Sequence, residues 1–243
     1  MRDWVSRQLA ERQLPFRRSP VMFERWTNLL FLHWRWDARE IQTRLPEGLN
    51  ADSFDGSAWI GIVPFFMSGV RPSGFPALPV ISCFLELNLR TYVKDESGRP
   101  GVWFFSLDAN QPVAVWAARI LFALPYRHAT MRAREVDGWI DYVFARSGQE
   151  LEYRYRGVGG TEEAAFGSLQ FFLIERYRLF AFRRGQLLSG RVYHAPYRVS
   201  GAEVSQYDAR LFELEGFETP NRPPDHLCYA PRVDVSIYAV GLS

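Results

Sequence analysis

Lysine is almost absent from this chain. Its 29 Lys+Arg residues contain one lysine, Lys94, leaving 28 arginines. Lys94 precedes Asp95-Glu96-Ser97-Gly98, a hairpin turn that leaves its amine at a solvated strand end, so catalysis through a lysine imine is excluded. So lopsided a ratio reads as codon bias and not as a design for phosphate. The arginines are scattered, with nothing denser than Arg17-Arg18, Arg183-Arg184 or the Arg132/Arg134 pair, and the net charge is only +2, so no nucleic-acid footprint emerges. Cysteine is scarce too: Cys83 and Cys228 lie too far apart in sequence to suggest a disulfide framework or a metal-spaced pair. The four histidines, His33, His128, His194 and His226, show no metal-binding spacing, and neither a metal nor a cofactor is expected. There is no nucleophile elbow, phosphate loop or dinucleotide fingerprint; Gly157-x-Gly159-Gly160 reads as a flexible connection. Long apolar runs are missing as well. Leu29-Leu30-Phe31-Leu32 ends at His33, and the first 13 residues carry Arg2, Asp3, Arg7, Glu11 and Arg12, which no signal core tolerates. The expectation is a reduced cytoplasmic protein with neither membrane nor nucleic-acid partner.

What is present is core material. Hydrophobic residues make up 47% and aromatics 16%, which rules out disorder. Residues 1–14 read as an amphipathic helix stopped before Pro15. Phe23 to Trp36 reads as a strand with Trp26, Leu30, Leu32 and Trp34 on one face. Asp37 and Glu40 form a capping box for a short helix ending near Pro46-Glu47-Gly48. Asp55-Gly56 turns into a strand from Ala58 to Met67, and Val80–Val93 and Val102–Leu107 make the clearest hairpin. Asn110 or Asp108 caps a helix running from Pro112 to about Ala123, apolar nearly all round and hence expected to be buried. Further strands follow over Tyr126–Val136, Trp139–Arg146 and Leu151–Arg156. A helical stretch spans Ser168–Glu175, and Tyr177–Phe182 with Leu187–Tyr193 forms another hairpin. A polar helix is read around Glu203–Leu211, and a last strand over Val233–Val240. Many short strands and few helices predict a mainly β (α+β) protein, a curved antiparallel sheet or barrel in a single domain over 1–243, with a helical extension at 1–20 and a barrel core at 23–240.

The strand from Ser82 to Val93 carries the most information. Glu86, Asn88, Arg90 and Tyr92 share one face by period two, opposite Cys83, Leu85, Leu87 and Leu89. That face is either solvated or the polar wall of a barrel mouth holding a small ligand. Leu124-Pro125-Tyr126-Arg127-His128, at a helix-to-strand junction, is either an ordinary exposed edge or part of the same cleft.

The segments Glu86-Leu87-Asn88-Leu89-Arg90-Thr91-Tyr92-Val93, His33-Trp34, Asp55-Gly56-x-Ala58-Trp59, Leu124-Pro125-Tyr126-Arg127 and Glu175-Arg176-Tyr177, in this order, resemble the YqjF-like family of the acetoacetate decarboxylase-like superfamily. The resemblance covers roughly Phe23 to Tyr238 and implies a cone-shaped antiparallel barrel around an interior pocket. Phe84-Leu85-Glu86 is similar to the strand that supplies a pocket carboxylate in the decarboxylases. Ala123-Leu124-Pro125-Tyr126-Arg127 is similar to the segment that supplies their Schiff-base lysine, with Tyr126 and Arg127 replacing two lysines. A phenol forms no imine and an arginine stays protonated, so the resemblance carries the fold without the mechanism. The ligand-site candidates are therefore Glu86, Asn88, Arg90, Tyr126, Arg127 and His33, with Glu86 the one candidate catalytic group. Three functions stay open: a small-molecule binding protein for a carboxylate- or carbonyl-bearing ligand, an enzyme using non-covalent acid–base chemistry on a keto or enol substrate, and a structural homo-oligomer.

Overall fold

The structure, a computed structural model, describes residues 3–13, 18–78 and 81–243. In chain order its elements are α1 (Asp3–Glu11), β1 (Met22–Trp36), α2 (Ala38–Thr43), β2 (Leu49–Ala51), β3 (Ala58–Pro72), β4 (Phe84–Asp95) and β5 (Pro100–Ala109). Next come α3 (Pro112–Leu121), β6 (Tyr126–His128), β7 (Thr130–Val136), β8 (Trp139–Arg146), β9 (Gln149–Glu163) and α4 (Leu169–Ile174). The chain ends with β10 (Arg178–Arg183), β11 (Gln186–His194), β12 (Arg198–Gln206), α5 (Leu211–Leu214), β13 (His226–Ile237) and β14 (Gly241–Leu242).

The long strands β11-β10-β5-β4-β3-β1-β13 are hydrogen-bonded in that order, and β13 returns to pair with β11, closing a ring. From β13 the sheet continues through β12, β9, β8 and β7, which curl back over the outside of the ring. This doubling explains why β4 is buried on both faces. Its odd residues Leu85, Leu87 and Leu89 pack with Tyr142, Tyr153 and Tyr155 of the outer layer, and Tyr92 packs into the ring interior with Phe31 and Phe172. The outer layer covers the apolar face of β4 and closure of the ring encloses its polar face, so neither face meets solvent. The protein is mainly β, as expected, but the ring is not wholly antiparallel: β5 pairs in parallel with both β10 and β6.

Two bulges set which side chains enter the ring. Between β1 and β3 the stretch Thr27–Leu32 is one residue longer than its partner Phe66–Ile62, and Asn28 takes φ 55°. The inserted residue reverses the alternation. Glu24 and Trp26 therefore share the interior with Leu29, whereas Leu30, Leu32 and Trp34 pack outward, so Trp26 does not share their face. Asn28 is held from outside: its carbonyl accepts from Tyr155 Oη at 2.8 Å and its Oδ1 from Tyr229 Oη at 2.5 Å. The second bulge, at Phe105 opposite Leu89 and Arg90, brings both Phe104 and Leu107 to the interior.

Several sequence-based expectations fail for tertiary reasons. Of the stretch read as a polar helix at 203–211, residues 203–206 are the end of strand β12, recruited by pairing with β9 and β13, and helix begins only with Leu211–Leu214. Gly157-x-Gly159-Gly160 lies within β9 and is no loose connection; a Cβ on Gly157 would stand 2.3 Å from the Tyr229 ring. The α3 cap is Gln111, since Asn110 Oδ1 accepts from the Leu85 amide and Asp108 is buried in β5. Helix α3 is not buried all round: of its residues only Val115 is buried, while Trp116 and Leu121 are 66% and 67% exposed. It closes one side of the ring with one face and presents the other to solvent. Helix α1 is more than an extension, because Gln8 Nε2 donates to the carbonyls of Phe171 and Glu175 at 2.8 and 2.6 Å and Glu11 pairs with Arg178. Pro15 and Val80 lie outside the described residues. Among the described residues no helix is long and apolar enough to cross a membrane.

Candidate functional site

The ring encloses a cavity of about 260 Å³ beneath α3. That is near the small end of ligand pockets, which run from roughly 300 Å³ upward. Its wall is mostly apolar, with Phe65, Phe84, Phe104 and Phe122 among the larger contributors, and its polar members are few: Glu24, Glu86, Asn88, Arg90, Arg176 and Arg178, with the hydroxyl-bearing Tyr126 and Tyr197.

Glu86, from the middle of β4, is 3% exposed. Tyr126 reaches it from β6, whose parallel pairing with β5 sets Tyr126 level with Leu107; its hydroxyl donates to Glu86 Oε2 at 2.7 Å. Two segments separated by a helix thus converge on one carboxyl group. Tyr142 from the outer layer donates to the Glu86 carbonyl at 2.8 Å and fixes that point of the strand. Burial pushes the Glu86 carboxyl up to about 8, against the opposing hydrogen bond from Tyr126. Glu24 is the second buried acid; burial raises it to about 7 although Trp26 Nε1 donates to its Oε2 at 2.8 Å. No arginine is hydrogen-bonded to either carboxyl group among the described residues.

Asn88, 3% exposed, donates through Nδ2 to Glu86 Oε1 at 3.4 Å, while its buried Oδ1 has no hydrogen-bond partner. Beyond it Arg90 turns its guanidinium over the rings of Phe31 and Tyr92, at 5.2 and 5.7 Å, and its buried Nε is unpartnered. Arg90 does not close on Glu86. Arg176 arrives from the segment after α4, its guanidinium 5.2 Å from the same Tyr92 ring. Nε donates to the Phe172 carbonyl at 2.7 Å and Nη1 to Asp52 at 2.8 Å, but the buried Nη2 has no partner. Arg178, by contrast, is fully engaged by Glu11 and Ser189.

Two sequence candidates fall elsewhere. Arg127 points away from the cavity to pair with Glu215 at 2.5 Å, because neighbours on a strand face opposite ways and Tyr126 takes the inward side. His33 lies behind the wall and does not line it. Its Nε2 is 2.6 Å from Tyr92 Oη and its Nδ1 3.1 Å from His226 Nδ1, and burial holds its imidazole well below the usual pKa, hence neutral. A Cβ on Gly61 would lie 2.8 Å from His33 Cδ2, so glycine there is what lets the ring approach. His33 thus supports Tyr92, which underlies both guanidinium groups. Glu24 and Arg176 are cavity residues that the sequence reading did not single out. Arg176 stood inside a quoted motif, flanked by structural residues: Glu175 accepts from the Tyr197 amide at 2.9 Å and from Tyr177 Oη. Glu24 had no signal, since its inward direction depends on the Asn28 bulge.

Comparison with known proteins places this geometry in context. A family described as an uncharacterized conserved protein, DUF2071, matches residues 24–234. The chain is 35% identical to the uncharacterized protein YqjF of Bacillus subtilis strain 168 over 218 residues, 88% of this chain and 89% of that protein. Among solved structures it is similar to the enduracididine biosynthesis enzyme MppR in complex with a condensation product of pyruvate and imidazole 4-carboxaldehyde. The TM-score is 0.67 at 14% identity, covering 92% of this chain and 90% of that one. An acetoacetate decarboxylase gives TM-score 0.64 at 12% identity over 100% and 98% of the two chains. An acetoacetate decarboxylase-like enzyme from Sphingomonas wittichii RW1 gives 0.61 at 14% over 93% and 94%. At such identities the likeness concerns the fold alone.

Proposed function

This chain belongs to the DUF2071 family and has the acetoacetate decarboxylase-like fold, and from that premise we propose that its cavity binds a small carboxylate- or carbonyl-bearing molecule without forming an imine. The observation that carries the reading is that Arg90 and Arg176 line one cavity and that each has a buried guanidinium nitrogen, Nε and Nη2 respectively, with no acceptor among the described residues. A buried donor left unsatisfied costs about 1–3 kcal/mol, and a bound carboxylate is the acceptor that removes this cost at both arginines. The mostly apolar wall supplies the rest of the affinity. Titration calorimetry with caproate tests this: saturable one-to-one binding that Arg90→Gln weakens at least roughly tenfold is expected. Binding indifferent to Arg90→Gln and Arg176→Gln, or none at all, would refute it.

A second reading is favoured by a separate observation, the carboxyl of Glu86 held at about 8 in contact with a tyrosine hydroxyl. A group poised near neutrality can take a proton from carbon beside a carbonyl and return it, with Tyr126 Oη as donor to the developing enolate oxygen. Pyruvate methyl protons exchanging with deuterium oxide under NMR, and ceasing to exchange above background in Glu86→Gln, would establish it; binding without exchange would reduce the protein to a carrier or sensor.

A further inference from the structure

The polar groups of the cavity are sorted by kind. Toward one end, Glu24, Glu86 and Asn88 offer acceptor oxygens, and the protein donors they receive, Trp26, Tyr126 and the Asn88 amide itself, leave Asn88 Oδ1 with nothing. Toward the other end, Arg90 Nε and Arg176 Nη2 are donors without an acceptor, while Tyr92 engages the rest of Arg90, and Asp52 and the Phe172 carbonyl the rest of Arg176. Glu86 and Arg90 share one face of β4 four residues apart, so their backbones are separated by roughly 13 Å, with Asn88 between. The groups that act on Glu86 from the surrounding elements are Glu24 of β1, Asp108 of β5, Tyr126 of β6 and, through the backbone carbonyl, Tyr142 of β8; none carries a positive charge. Those that act on Tyr126 are the same two acids, Glu86 and Glu24.

From this arrangement we propose that the ligand is zwitterionic: its carboxylate lies between Arg90 and Arg176, and a cationic nitrogen, an ammonium or amidinium, lies between Glu24, Glu86 and Asn88 Oδ1. A purely anionic ligand would satisfy the guanidinium end and leave Asn88 Oδ1 and two acids facing an apolar body. A cation with N–H donors satisfies all three. It also supplies the missing counter-charge, so that the carboxylic protons leave as the ligand enters and the two acids ionise. The inference rests on the carboxylate reading above and adds the second charge to it.

The probes are β-alanine, γ-aminobutyrate and ε-aminocaproate, each against its parent acid propionate, butyrate or caproate, titrated calorimetrically into the intact chain in buffers of different ionisation heat. At least one amino acid of the series is expected to bind roughly tenfold or more tighter than its parent acid near pH 7, with protons released to the buffer. Its affinity should rise between about pH 6 and about pH 8.5 as the two acids ionise more readily, whereas that of the parent acid should not rise. Glu24→Gln and Asn88→Leu should each bring the ratio of amino-acid to parent-acid affinity toward one, and urea unfolding midpoints near that of the wild type show that the variants are folded. If the parent acids bind as tightly as the amino acids and no proton is released, the cationic end is wrong and the carboxylate reading survives. If neither set binds, both readings fall together.

Discussion

Replacing Glu86 by glutamine should make the protein more stable at alkaline pH, and the size of the gain follows from burial. A carboxyl at about 8 in the folded chain against 4.5 when unfolded is protonated in the native state over a range where the unfolded state has ionised. The unfolded state then holds fewer protons, so stability is complete below the unfolded value and is lost as pH rises toward the folded one. Each pH unit in that window removes about 1.36 kcal/mol, so Glu86 alone withdraws about 4 kcal/mol between about pH 5 and about pH 8. Glutamine keeps the shape and a carbonyl to accept from Tyr126 Oη, but it has no proton to lose. Urea denaturation across this range should show the wild-type stability falling steeply and the Glu86→Gln curve running flatter, the two diverging by about 4 kcal/mol at the alkaline end. Histidine titration does not confuse the comparison: His33, His194 and His226 are all shifted downward by burial, and both proteins contain them. Parallel curves, or a variant less stable at about pH 8, would refute the claim that Glu86 is buried as the neutral acid.

Other consequences can be checked separately. Asn28→Ala should cost about 2 kcal/mol in denaturant unfolding, through the left-handed backbone and the stranded Tyr229 hydroxyl; Asn28→Gly should recover only the backbone share. Gly61→Ala forces a methyl against His33 and should destabilise the fold by about 1–3 kcal/mol while weakening caproate binding, because His33 supports the tyrosine beneath both arginines. Treatment with acetoacetate and borohydride should leave Lys94 unmodified by mass spectrometry, since its exposed side chain at the end of β4 has none of the burial that activates an amine.

How far the sequence revealed the site depended on whether one strand or two strands decided the answer. Period two alone grouped Glu86, Asn88 and Arg90, and β4 has no bulge among them on its own side, so that grouping survives. Their inward direction was undecidable from β4 itself, because it depends on the outer layer of β7, β8, β9 and β12 covering the opposite face. Glu24 was invisible for the opposite reason: an asparagine with positive φ in mid-strand leaves no reliable mark in the pattern of apolar residues. Helix α3 misled because apolar composition reports what a segment prefers to bury and not what the fold provides to cover it. Strand β12 misled because the polar run from Glu203 gains its ladder from β9, far away in sequence. Arg127 followed its neighbour into the candidate set, and the alternation of a strand separates them.

The most direct test of the cavity as a carboxylate site is diffraction from crystals soaked in para-bromobenzoate, using the anomalous signal of bromine to fix position and orientation. The bromine should appear inside the ring against the apolar wall near Phe65 and Phe104, with the carboxylate oxygens in hydrogen-bond reach of Arg90 Nε and Arg176 Nη2. A ring cavity that stays empty while the probe gathers on the outer surface, or a carboxylate turned away from both arginines, would contradict the account.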